Sequence, residues 1–150
     1  MAHNGVVAFP ITDLAGYFSG AWLLDRGIAG VGGEELGQAE GRATFALEGA
    51  VLVYHEVGQL RLGAHNGPFS RTLRYRITGC GRAAVYFDHG GFFHEIDLTT
   101  GEWVAGHPCQ ADFYRGSYHL HDRRGWRQEW TVRGPAKDHV ITSRFTREDG

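Results

Sequence analysis

The chain has 150 residues, of which 42% are hydrophobic and 21% charged, with a formal net charge of -2. That length suits one domain with a real core, and the composition excludes a disordered chain. The charge balance gives no footprint for nucleic acid or an anionic membrane, and no apolar run approaches a membrane span.

The start of the chain, Met1-Ala2-His3-Asn4-Gly5-Val6-Val7, lacks the basic stretch and long apolar run of a signal peptide. Two cysteines, Cys80 and Cys109, form no C-x-x-C pair. The expectation is a soluble cytoplasmic protein with reduced thiols. Lys137 is the only lysine, so the other basic residues are arginines, which suit paired carboxylates and ring stacking as well as surface.

Pro10 to Phe18 reads as a short helix, with proline near its start and apolar residues at Ile11, Leu14 and Phe18. From Ser19-Gly20-Ala21-Trp22 a strand runs to about Ile28. Ala29 to Gln38 is glycine-rich and reads as a mobile loop. Gly41–Leu47 and Val51–Leu62 form a hairpin, and Phe69–Thr78 and Ala83–Asp88 the next. Phe92–Leu98 turns through Thr99-Thr100-Gly101 into Trp103–Ala105. Asp112–His119 pairs with Trp126–Arg133, and a last strand covers His139–Thr146.

Among the 23 glycines, Gly49, Gly63, Gly67, Gly79, Gly81, Gly90, Gly91, Gly101 and Gly125 punctuate these segments at roughly ten-residue intervals, as hairpin turns do. Nine or so strands in one small domain leave exposed edges unless the sheet closes. The expected fold is all-β, a single antiparallel barrel over residues 1–150 with a short N-terminal helix.

A helix followed by Gly20-Ala21-Trp22 at the opening of the first strand resembles the G-x-W signature of lipocalin and calycin barrels. That resemblance implies a late arginine, Arg144 or Arg147, packed on Trp22. Further segments resemble one uncharacterised bacterial and fungal family of lipocalin-like barrels, labelled as a domain of unknown function. They are Phe18–Trp22, Gly41–Phe45, Tyr54–Gly58, Phe93–Asp97, His107-Pro108-Cys109 with Asp112 and Tyr114, and Trp130–Lys137. The resemblance implies a fold and brings no established activity. It also implies an aspartate-glycine-arginine turn ahead of the Phe-His pair, where this chain has Asp88-His89-Gly90-Gly91-Phe92.

Alternation along the strands gives candidate inward faces. Leu52, Tyr54, Glu56, Gly58, Leu60 and Leu62 share one side. Phe69, Arg71, Leu73, Tyr75 and Ile77 share another. Glu56 and Arg71 are therefore an interior pair, either a salt bridge that closes the barrel or a ligand clamp. In the Phe92 segment, Phe92, His94, Ile96 and Leu98 share the more apolar side. His94 there reads as a satisfied core histidine or as a general acid/base. Asp112, Tyr114, Gly116 and Tyr118 share a face, as do Trp126, Gln128, Trp130 and Val132, giving either an aromatic core or a cavity wall.

His107, Cys109 and Asp112 bring together residue types that bind zinc, but Pro108 intervenes and a second ligand pair is lacking, so no metal is expected. Arg133 and Lys137 flank the turn Gly134-Pro135-Ala136. They read as a solvated turn or as cations at a barrel mouth. No G-x-S-x-G, H-E-x-x-H or phosphate loop occurs.

The leading expectation is a binding module for a small, partly aromatic and anionic molecule, using Glu56, Arg71, Tyr75, His94, Tyr114, Trp130 and Arg133. The alternative is a cofactor-independent isomerase, cyclase or lyase, with His94, His107 and Asp112 as catalytic groups. A third reading is haem held by His94 or His107; no motif in the chain calls for a cofactor. A small-molecule ligand is the expected partner, with neither nucleic acid nor membrane, and the oligomeric state, a homodimer included, is left open.

Overall fold

Ten antiparallel strands wrap around a core of aromatic side chains, and one short helix lies at the base. The computed structural model describes residues 7–109, 112–134 and 138–148, with the side chains of 106–109 and 112–113 outside the description. Helix α1 covers Leu14–Phe18. Strands follow as β1 (Gly20–Gly30), β2 (Glu35–Glu48), β3 (Val51–Leu62), β4 (His65–Gly79), β5 (Arg82–Phe87), β6 (Phe92–Asp97), β7 (Glu102–Cys109), β8 (Asp112–Asp122), β9 (Gly125–Arg133) and β10 (Asp138–Arg147).

One sheet holds all ten, in the order β6-β5-β4-β3-β2-β1-β10-β9-β8-β7. The first and last members, β6 and β7, come together without a ladder, so the barrel is nearly closed. A side chain bridges this seam: the Trp103 Nε1–H donates to the Glu95 carbonyl at 2.7 Å. Both prolines that fall in strands sit where a missing N–H does no harm. Pro108 is on the end strand β7, and Pro68 precedes the part of β4 that pairs with β5.

The expected helix is shorter than the Pro10–Phe18 stretch. Asp13 caps it, its carboxylate accepting from the Gly16 N–H at 3.0 Å, so Pro10 to Thr12 stay outside the helix ahead of the cap, with a bend at Thr12. This segment crosses the barrel base, with Phe9 N–H donating to Leu120 O of β8 at 2.8 Å, and the first residue of α1 is tied to the β4–β5 turn, Leu14 N–H donating to Cys80 O at 2.7 Å. Gly101 is required at that crossing. Its φ is +87°, and a Cβ on it would lie 2.6 Å from the Phe9 carbonyl oxygen.

The expected loop from Ala29 to Gln38 is a correction. The β1 strand continues to Gly30 and β2 begins at Glu35, leaving a turn of residues 31–34. Its glycines accommodate that turn, with Gly33 at φ +96°, and the flanking residues pair.

The base holds Phe18, Trp22, Phe45, Tyr75, Trp126 and Phe145, all buried. Trp126 stacks on Phe145 with centroids 3.8 Å apart and planes at 4°. Of the two arginines considered for Trp22, Arg147 is the one that packs on it, with its guanidinium carbon 3.9 Å from the ring centroid. Arg147 also donates to the carbonyls of Ser19 (2.7 Å) and Tyr17, tying the last strand to the end of α1.

Candidate functional site

The other end of the barrel is hollow. A chamber of about 490 Å³ opens there, walled by apolar side chains from nearly every strand. Ile28, Leu60, Phe69, Phe87, Phe93, Tyr114, Trp130, Val132 and Ile141 line it, and Arg26, Arg71, Gln128 and Ser143 supply its polar groups. Its size falls within the range of small-molecule pockets.

Three rings stack in one continuous column along the chamber wall. Phe93 stacks on Phe87 at 4.5 Å and 20°, and on Trp130 at 5.0 Å and 19°. His89 extends the stack, lying 5.4 Å from Phe87 at 20°. The wall exists because β6 carries a bulge. Val85 pairs with His94, but Tyr86 pairs with Phe92, so Phe93 is an extra residue in the ladder. Strict alternation puts Phe92 inside and Phe93 outside. The bulge reverses this: Phe93 and His94 are both buried and Phe92 is exposed.

Trp130 is placed by its cross-strand neighbour Gly116. A Cβ at position 116 would lie 2.6 Å from the indole ring, so only glycine lets the ring lie flat over β8.

Below this wall the chamber floor is polar. Arg26 holds Glu56 through both terminal nitrogens, Nη1 to Oε2 at 2.8 Å and Nη2 to Oε1 at 3.0 Å, and its Nε–H donates to Ser143 Oγ at 2.7 Å. The Tyr54 hydroxyl donates to Glu56 Oε1. Arg71, opposite Glu56 in the β3–β4 register, approaches Oε2 with its Nε at 3.6 Å. The Glu56 side chain is 1% exposed and that of Arg26 12%, against 43% for Arg71.

Burial alone pushes the Glu56 carboxyl up. The Arg26 hydrogen bonds, the charges of Arg71 and Arg26, and the Tyr54 hydroxyl outweigh burial and hold it below its ordinary value of 4.5. Burial, then the Glu56 charge, pushes the Tyr54 hydroxyl well up, so it remains a donor. The expected Glu56–Arg71 pair is thus one side of a triad whose tighter member is Arg26. Arg26 was legible by the same alternation: Trp22, Leu24, Arg26 and Ile28 share a face of β1.

The remaining candidates are dispersed. Tyr114 and Trp130 line the chamber. Tyr75 lies below the floor in the aromatic base, fully buried. His94 is buried behind Phe93 and Trp130, with ring centroids 4.6 and 5.4 Å away. Its Nδ1 is 2.7 Å from the Glu95 carbonyl, which can only accept, so Nδ1 carries the hydrogen. In the neutral ring Nε2 then accepts from the Tyr118 hydroxyl at 3.3 Å. Arg133 is exposed at the rim, 3.6 Å from Asp138. Lys137 and the side chains of His107, Cys109 and Asp112 lie outside the described residues. Among the described residues no cluster of three metal-ligating side chains forms, and no helix is long and apolar enough to cross a membrane.

The model of a family of unknown function, DUF6314, matches residues 18–147. The chain belongs to this family. No curated protein matches it significantly. Among solved structures, an S-type phycobiliprotein lyase from Guillardia theta superposes with a TM-score of 0.64 at 7% identity, covering 90% of this chain and 90% of the lyase. A protein of unknown function from Nostoc punctiforme, of the DUF3598 family, gives 0.68 at 10% identity, covering 99% of this chain and 54% of its own. The barrel EF1p2_mFAP2b bound to DFHBI gives 0.52 at 9% identity, covering 92% and 99%. At these identities the likeness shows the fold: this DUF6314 chain is a β-barrel built like those proteins.

Proposed function

We propose that this protein binds a small molecule in the chamber, with a ring-bearing apolar body against the Phe87–Phe93–Trp130 wall and an anionic end toward Arg71. The carrying observation is the division of the barrel interior, solid aromatic packing at one end and about 490 Å³ of walled space at the other. A core selected only for stability fills such space, because an interior void forfeits packing contacts. The fold neighbours add support of a general kind, since one of them is described as bound to DFHBI.

Acid–base chemistry has less behind it. His94 turns its Nδ1 to a backbone carbonyl and its Nε2 to Tyr118, and it does not border the chamber. Glu56 is held ionised by its partners, whereas a general base works best near the operating pH.

The test is titration with 8-anilinonaphthalene-1-sulfonate followed by its fluorescence. Saturable binding at one site, lost in Trp130→Ala at unchanged fold, is the expected result. The absence of saturable binding, together with identical native and denatured masses for protein purified from its own host, overturns the proposal.

A further inference from the structure

The chamber floor carries a defined charge. Two guanidinium groups, Arg26 and Arg71, meet one carboxylate, Glu56, so the cluster has a net charge of plus one. The two arginines are not equivalent. Arg26 spends all three nitrogens on Glu56 and Ser143. Arg71 approaches Glu56 only through Nε, at 3.6 Å, beyond an ordinary hydrogen bond, and its side chain is 43% exposed while bordering the chamber. A partly solvated cation at the border of an apolar chamber attracts one opposite charge on a ligand whose body fills that chamber.

Resting on the binding function proposed above, we infer that the ligand is a monocarboxylate bound head-down, its carboxylate at Arg71 on the chamber floor and its apolar body pointing to the mouth. Arg26 and Glu56 form the fixed frame, and Arg71 is the specificity-determining residue. The stoichiometry follows from charge. One carboxylate brings the cluster to neutrality, a neutral ligand leaves it at plus one, and two carboxylates at the same end bring it to minus one beside Glu56.

The geometry also sets the orientation. Polar groups that face the chamber, Arg71, Gln128 and Ser143, stand at its floor, in register with Glu56 or with Arg26. Two residues further along the same strands stand Ile28, Trp130 and Ile141, all apolar. A carboxylate placed toward the mouth end of this wall would face Trp130, Phe87 and Ile141 instead of a donor. A guanidinium offers the planar fork that matches a carboxylate, so Arg71 binds it bidentately where a lysine would not.

Isothermal titration calorimetry with three probes sharing one ring system tests this. They are 2-naphthoate, the neutral 2-naphthamide, and naphthalene-2,3-dicarboxylate with both charges at one end. The expected order places 2-naphthoate about tenfold or more tighter than either of the others, the size of one charge-assisted hydrogen-bonded contact. In Arg71→Gln, 2-naphthoate weakens by about that factor and 2-naphthamide stays unchanged. Arg74→Gln, on the outer face of the same strand, leaves all three as they were.

Equal affinity for acid and amide in the wild-type protein overturns the inference while leaving cavity binding intact. Preference for the dicarboxylate overturns it as well. Binding of none of the probes, with no response to the anilinonaphthalene dye, removes the binding function itself. The wild-type comparison decides the matter even where Arg71→Gln fails to fold.

Discussion

The two ends of the barrel use the same strands, and even the same residue types, to opposite purposes. At the base, Trp22, Trp126, Phe45, Phe18 and Phe145 are buried and meet at mixed angles, edge-to-face and stacked, so that each ring fills the gap left by another. At the mouth, Phe87, Phe93 and Trp130 stack one on another in a single column. Interlocked rings close space on every side, whereas a single stacked column turns its ring edges to the chamber. The charged belt of Arg26, Glu56 and Arg71 marks the boundary. Aromatic content alone therefore does not distinguish a filled core from a chamber wall: the base rings are enclosed on every side, and the column at the mouth borders open space.

The sharpest way to break this comparison is to remove one ring from each end. Trp126→Ala takes a fully buried indole from the base and is expected to cost about 3–5 kcal/mol. Phe87→Ala, on a chamber that is already hollow, is expected to cost less than half as much. Urea denaturation measures both. Equal losses would mean that the mouth is as tightly built as the base. The belt comes next. Glu56→Ala leaves the buried Arg26 without its counter-ion, at about 3–5 kcal/mol in the worst case and less to the extent that water reaches Arg26 through the chamber.

The same carboxylate gives the belt a pH signature. The Glu56 carboxyl is lowered in the folded state, so its contribution is fully present above its ordinary value of 4.5. It fades as pH falls toward the folded-state value. Wild-type stability is expected to fall over that acid range more steeply than that of Glu56→Gln, which has no carboxyl to protonate at this position. Parallel profiles for the two proteins would assign the acid sensitivity elsewhere.

Much of the mouth was legible in the sequence, because period-2 alternation survives wherever strands pair regularly. It placed Glu56, Arg71, Tyr114 and Trp130 inside, and the same rule applied to Trp22 and Leu24 reaches Arg26. It failed at Phe92 and Phe93 because a bulge is a property of two strands in register, and β6 alone does not reveal the extra residue. Tyr75 shows a second limit. Alternation says which side of the sheet a residue faces but not how far down the barrel axis it sits, and Tyr75 lies on the base side of the belt. The length of β1 and β2 was hidden for another reason: glycines at 30, 32 and 33 read as a loop, while only residues 31–34 turn.

Gly116 sharpens the comparison at smaller cost. Gly116→Ala puts a methyl group into the Trp130 ring, which must tilt out of the stack. Overpacking of this kind costs about 1–3 kcal/mol, and its effect on ligand binding is expected to exceed its effect on stability. Near-UV circular dichroism, read beside a dye titration, separates the two: an altered aromatic signal with weakened dye binding is expected, and unchanged dye affinity would show that the stacking of the wall is irrelevant to binding.

The smallest effect is expected at the residue that alternation placed inside. Phe92 is 49% exposed and touches Tyr86 edge-on at 5.6 Å on the outer face. Phe92→Ser removes that exposed contact and is expected to change stability by only about 0.5 kcal/mol, with dye affinity unchanged. Phe93→Ser, one position along, removes the middle ring of the wall and is expected to abolish dye binding. Two adjacent phenylalanines with opposite consequences are the direct signature of the bulge. If Phe92→Ser instead impairs binding and Phe93→Ser does not, β6 pairs in regular register, His94 shares the inner face with Phe92, and the stacked wall on which the ligand assignment rests is lost.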